Sequence, residues 1–295
     1  MIIGAFLTNA ASVPMFWRVA FGVWLLWMAF DGVRQARRTR LPTHSVHSWQ
    51  LALIALVVLL VEAAVLFGYG ALGRQEFAVG VAAYEAADCR TAWRRFHRVT
   101  TLYELTLSSN VAVADARRVE CGLFVFAENR AQQGAYAEAV SGYEALLGRY
   151  PLSALISVAR ERAAAVRAEW AAVLQQEREF AAALDQLQIV QDHYADTAVG
   201  ENVLGLSADV YAAWAAALRA ERDYDQAILL YGWLLADYPD APAAQRAATL
   251  AAETYLDWAA ALRREGAYET AIGKYQAISQ RYPETAAGQE SAALA

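Results

Sequence analysis

YAAWAAALRAERDYDQAILLYGWLLADYP, residues 211–239, is two helices and a turn written out in order. Tyr211, Trp214 and Leu218 recur at helical spacing. The polar pair Glu221-Arg222 breaks the run, and Tyr224, Ala227, Tyr231 and Leu234 then recur at the same spacing until Tyr238-Pro239 stops the second helix. The phrase returns every 44 residues: Tyr136, Phe180, Tyr224 and Tyr268 share one position, and Ala139, Ala183, Ala227 and Ala271 a second. Tyr150, Tyr194, Tyr238 and Tyr282 share a third, and Trp170, Trp214 and Trp258 a fourth. An array of this kind stacks one supersecondary unit on the next and offers an extended binding surface rather than a catalytic pocket.

The rest of the chain has a different composition. Up to Arg74 there are six arginines and no lysine against Asp31 and Glu62, a balance of +4. With a total of −6 over 295 residues, the remainder carries −10. Length alone suggests about two domains, and the charge shift places their boundary at residue 74, with a membrane anchor over 1–74 and the array over 75–295. An acidic array cannot neutralise a line of phosphates, which argues against nucleic acid as a partner.

Two apolar stretches, about 13–33 and 49–72, each have the roughly 20 residues that a helix needs to cross a bilayer. A cleaved signal peptide fits poorly, because residues 1–13 contain no Lys or Arg and no small-x-small site follows the apolar run. Arg34, Arg37, Arg38 and Arg40 crowd the short segment between the stretches, so the positive-inside rule places loop 34–48 in the cytoplasm and the C-terminal domain outside it. Arg90, Arg94, Arg95 and Arg98 lie at the edge of the window in which charges count and pull the other way. Each expected span holds one ionisable residue well inside it, Arg18 and Glu62, both roughly 20 Å from the cytoplasmic face at the helical rise per residue. Matched depth predicts that they pair. The competing reading has Arg18 extending outward along its stem and Glu62 protonated.

The large-small pattern Tyr211-x-x-Trp214-Ala215-x-x-Leu218, Tyr224-x-x-Ala227-x-x-x-Tyr231 and Pro239 resembles the tetratricopeptide repeat. Tyr255, Trp258, Ala259, Leu262, Tyr268, Ala271, Tyr275, Ile278 and Pro283 repeat it. An earlier repeat has Leu123, Phe126, Ala127, Tyr136, Ala139, Tyr143, Leu146 and Pro151. Between them, one repeat keeps Trp170, Ala171, Leu174, Phe180, Ala183 and Val190 but has Arg167, Leu187 and Ala195 where the family prefers aromatic, aromatic and proline. Upstream, residues 76–110 resemble a degenerate opening unit offset by 47 instead of 44. The period exceeds the family's usual 34 and is similar to the longer-helix repeats of bacterial envelope assembly and scaffold proteins. The resemblance implies an all-α fold, here a transmembrane helical hairpin followed by an α-solenoid of helix pairs. The opening unit follows the second span without a linker, and the last unit, ending at Ala295, lacks a full capping helix, which favours self-association or a partner subunit there.

In that family the first helix of each pair lines a groove, and members that clamp a C-terminal carboxylate place Lys and Asn there. Ala168, Ala212 and Leu256 occupy one such position and Ala172, Ala216 and Ala260 another, so that clamp is absent. The candidate partner groove is smooth, with Asp209, Arg219, Glu253, Arg263 and Arg264 as its charges, and suits an amphipathic helix or an apolar extended segment. Equally, those charges fit a solvated helix face with local ion pairs.

Chemistry is sparse. His44 and His47 lie close together without Cys or acidic neighbours, so no metal is expected. The run Gly68-Tyr-Gly70-Ala-Leu-Gly73 satisfies the dinucleotide-binding spacing but ends a membrane stretch instead of following a strand. Cys89 and Cys121, placed on consecutive antiparallel helices, read as roughly 10 Å out of step, beyond disulfide reach. The cluster Trp93–Arg98 reads as a polar helix face, with contact to anionic headgroups as the alternative. The function that follows is a membrane-anchored protein-binding scaffold, an accessory subunit of a membrane complex, with no catalysis and no cofactor. The alternative is a transport or energy-transducing subunit in which Arg18 and Glu62 carry function. A third reading places the array in the cytoplasm.

Overall fold

The computed structural model describes residues 48–104 and 108–294, together with Trp27, Asp31 and Arg34. They form helices and turns, with no strand among the described residues, so the fold is all-α. Most of the first expected span, with Arg18, and most of the loop 34–48, with His44 and His47, lie outside the described residues. The chain divides into two compact units, Met1–Val125 and Phe126–Ala295.

In the first unit α1 runs over Ser48–Glu85, 38 residues without a break. It contains the expected second span, and among the described residues it is the one helix long and apolar enough to cross a membrane. Leu56 to Val61, Val65, Leu66 and Phe67 are all exposed on it. The compositional boundary at Arg74 falls inside this helix and does not interrupt it. Backbone hydrogen bonds propagate regardless of side-chain polarity, and no proline interrupts this stretch. The Gly68–Gly73 motif lies inside this helix. A left-handed Ala87 (φ 57°) turns the chain, and α2 follows over Cys89–Leu102. Its Ala92, Phe96 and Val99 are fully buried. Gly80 is where α1 meets them, since a Cβ there would stand 2.9 Å from the Phe96 ring. Helix α3 then spans Ser108–Gln132.

The two cysteines correct the sequence reading. Cys89 lies as far before Leu102, the end of α2, as Cys121 lies beyond Ser108, the start of α3. Equal distances from the connection bring the sulfurs level, 2.7 Å apart.

In the second unit the 44-residue period is present in the backbone. Helices α4 (Tyr136–Arg149), α6 (Phe180–His193), α9 (Tyr224–Asp237) and α11 (Tyr268–Arg281) are each 14 residues long and start 44 apart. Every one is preceded by a left-handed residue two positions earlier: Gly134 (φ 74°), Arg178 (67°), Arg222 (69°) and Gly266 (81°). Ala87 precedes Gly134 by 47, the offset read from the sequence. Each of the four helices ends at a tyrosine, 150, 194, 238 or 282, with φ near −130°, whose N–H bonds the carbonyl four residues back.

The longer helices between them are α5 (Ile156–Gln176), α8 (Val203–Glu221), with the one-turn α7 (Ala198–Glu201) before it, and α10 (Pro242–Arg264); α12 (Ala286–Leu294) follows α11. Thr197 and Thr285 cap α7 and α12, each accepting from the N–H of a glycine three residues on, Gly200 and Gly288.

From α4 to α12 each helix packs on the next in sequence, and α8 also packs on α6 and α10. Short-helix positions 139, 183, 227 and 271 are alanines no more than 3% exposed. Tyr143, Leu187, Tyr231 and Tyr275 one turn on, and Leu146, Val190, Leu234 and Ile278 beyond them, are buried too. This i, i+4, i+7 stripe is the core. Each fully buried aliphatic on it contributes about 1.5–3 kcal/mol. Trp214 and Trp258 are half-buried and join adjacent repeats: Phe180 stacks on Trp214 at 5.9 Å and Tyr224 on Trp258 at 6.2 Å.

Two predictions test this account by chemical denaturation. Gly266→Ala forces a Cβ into the left-handed region and is expected to cost about 1 kcal/mol. Gly273→Ala, mid-helix with nothing within 4 Å of the new methyl, should instead gain up to about 1 kcal/mol; equal effects would reject the left-handed turn. Asp88 caps α2, accepting from the Thr91 N–H at 3.0 Å. The backbone and side-chain hydrogen bonds from Thr91 hold its carboxyl below the ordinary 3.8. Its contribution is thus complete above that value and lost as pH falls through the lower folded one. Asp88→Ala should cost about 1 kcal/mol at neutral pH, and the difference from the parent should vanish in strong acid.

Candidate functional site

The long helices carry most of the second unit's cross-repeat charge. Arg219, in the last turn of α8, reaches α10, where Glu253 and Asp257 stand one turn apart on one face. Its Nε donates to Asp257 Oδ2 at 2.7 Å and its Nη1 to Glu253 Oε2 at 3.0 Å. Partial burial works against the guanidinium charge, but the hydrogen bonds to Asp257 and Glu253 outweigh it and raise its pKa. Near the start of the unit, Arg162 on α5 donates to Glu128 Oε1 at 2.6 Å, and the Tyr143 hydroxyl donates to the same oxygen at 2.5 Å. Burial, then the hydrogen bond to Glu128, pushes the Tyr143 phenol above its usual range.

Of the five groove charges expected from sequence, the structure joins Arg219 and Glu253. Asp209 is Glu253's equivalent one repeat earlier and Arg263 is Arg219's equivalent one repeat later; both are exposed and make no ion pair among the described residues. Arg264 turns back to its own helix, donating to the Ala260 carbonyl at 3.2 Å. Asp257 was not anticipated, although its position four residues after Glu253 put both acids on one helix face. The expected groove position of Ala172, Ala216 and Ala260 is occupied in the first repeat by Glu128. The substitution has a visible cost: Tyr143 finds Glu128, whereas its equivalent Tyr231 is buried with no hydrogen-bond partner for its hydroxyl among the described residues. Arg167, standing where the neighbouring repeats have Tyr211 and Tyr255, is 6% exposed and donates to Gln186 at 2.7 Å and to Glu144.

The first unit holds a buried polar group that sequence reasoning missed. Glu120 on α3, 6% exposed, accepts from the Tyr84 hydroxyl of α1 and from Arg117, whose guanidinium lies 4.3 Å over the Tyr84 ring. In the Trp93–Arg98 cluster, Arg95 and Arg98 pair with Glu76 of α1 at 3.0 and 3.4 Å, and Trp93 stacks on His97 at 5.2 Å. Two of its cations thus share one carboxylate within the fold. Glu62 lies exposed on the apolar face of α1, and its expected partner Arg18 is outside the described residues. Among the described residues no three His, Cys, Asp or Glu side chains group to hold a metal. Comparison with protein-family models finds no match, and comparison with curated proteins finds none.

Because two acids share one guanidinium, the ion-pair cluster should be redundant. Glu253→Gln or Asp257→Asn alone is expected to change unfolding free energy by less than about 0.5 kcal/mol, and the double variant by about 1 kcal/mol or more. Additive single losses would show two independent pairs instead.

Proposed function

We propose that the chain is a membrane-anchored protein-binding scaffold. In this reading residues 1–74 form a two-span hairpin, and residues 75–295 form a tetratricopeptide-like solenoid on the extracytoplasmic side that serves as an accessory subunit of a larger membrane complex. The observation that carries it is the repeat itself: four helices of equal length, each entered through a left-handed turn, the last three repeats joined by stacked aromatics. Such a construction extends a surface and converges no chemistry on one point. The pairing of Arg219, Arg162 and Arg167 with carboxylates of neighbouring helices supports a surface whose free character is apolar and smooth, with Ala172 and Ala216 exposed along it. That surface suits the apolar side of an amphipathic partner helix. The exposed apolar length of α1 supports the anchor, and the arginines of loop 34–48 support the orientation.

A photo-crosslinking residue placed at Ala172 and at Ala216 in the full chain tests the groove. One discrete adduct of the same mass from both positions, absent from Gln188 and Gln226 on the short helices, is the expected result. Equal adducts from all four sites would reject a groove-specific partner. Membrane-impermeant thiol labelling of single cysteines at Thr43 and Ala295, in a cysteine-free background on intact cells, tests the orientation: Ala295 alone should label, and Thr43 alone would place the array in the cytoplasm.

A further inference from the structure

We propose that Cys89 and Cys121 are the site of an intramolecular disulfide that ties α2 to α3. The two residues are 32 apart in sequence and level in space, because each stands equally far along its helix from the connection between the two. Their side chains are 2% and 0% exposed and face each other, with the Cys121 thiol donating to the Cys89 sulfur. Both are free thiols in this structure. No third ligand accompanies them to make a metal site among the described residues, and the adjacent Glu120 is committed to Tyr84 and Arg117. Two facing thiols with nothing else to bind have one shared chemistry, oxidation to each other.

The order of events follows from their positions. Cys89 is the first residue of α2, next to the turn through left-handed Ala87, so unwinding a single helical turn bares its sulfur. Cys121 sits mid-helix, and its hydrogen bond to Cys89, followed by burial, raises its thiol pKa. Cys89 as thiolate attacks one sulfur of an oxidant disulfide, such as oxidised glutathione. A mixed disulfide forms and one glutathione thiolate leaves. Cys121 then loses its proton and attacks the Cys89 sulfur, expelling the second glutathione thiolate. The two protein protons end on the two glutathione thiols, and the two electrons end on the oxidant.

The full chain, purified in mild detergent, is incubated with oxidised glutathione, quenched in acid, unfolded, and its remaining thiols counted with a mass-tagged maleimide. No tag before reduction, two after dithiothreitol, and a peptide joining Cys89 to Cys121 two hydrogens lighter than the separate thiols are the expected results. Cys89→Ser and Cys121→Ser should each leave one residue that is tagged or glutathionylated. Two free thiols persisting in the folded parent, when the same treatment oxidises the unfolded chain, would overturn the proposal. So would a disulfide-linked dimer on a non-reducing gel in place of the internal link.

Discussion

A methyl group sets how closely the helices of the second unit approach. Ala139, Ala183, Ala227 and Ala271 occupy one position on the four short helices, and none is more than 3% exposed. At that separation the larger residue four positions on reaches across to the neighbouring long helix and fills the remaining space at crystal-like density. Gly142 shows how little room is left in the first repeat, since a Cβ there would come within 3.0 Å of Ala127. The pair geometry in turn fixes where the next pair begins. That is why the turn before each short helix takes a left-handed residue at the same place, whether that residue is a glycine or an arginine.

The pairs were legible because their period is written in aromatic residues, which are large, few and hard to replace. What was not legible has separate physical causes. Arg178 and Arg222 carry no local signal for a left-handed backbone, and only their alignment with Gly134 and Gly266 gives them away. The cysteines were misjudged because level is set by distance from the connection between helices, which sequence places poorly. The break at residue 74 was inferred from charge, to which backbone hydrogen bonding is indifferent. In the candidate site, Arg219 and Glu253 were chosen by helix face, and the structure joins them in an ion pair. Asp257 pairs with Arg219 across a different sequence offset from Glu253, one that no single period announces, and Asp209, Arg263 and Arg264 share the face without sharing a partner.

Charge in the second unit serves order more than recognition. Arg162, Arg167 and Arg219 each tie a long helix to a neighbouring helix, and exposed pairs contribute little stability one at a time. They do discriminate. A repeat slid out of place would leave Arg167 buried without Glu144 and Gln186, and an unpaired buried charge is costly even where the pair itself is worth little. The hydroxyl of Tyr231, without a partner among the described residues, marks the opposite arrangement, in which an alanine, Ala216, stands where the first repeat has Glu128.

The sameness of the joints makes length a quantised variable in this chain. Phe180 on Trp214 and Tyr224 on Trp258 are the same joint one period apart, so deletion or duplication of one whole repeat brings together faces that already fit. Evolution can thus lengthen or shorten the array by unequal exchange without redesigning a core. The ion pairs are not interchangeable in this way. Glu128 with Arg162 belongs to one junction and Arg219 with its two acids to another, so the aromatics supply the rungs and the charges number them.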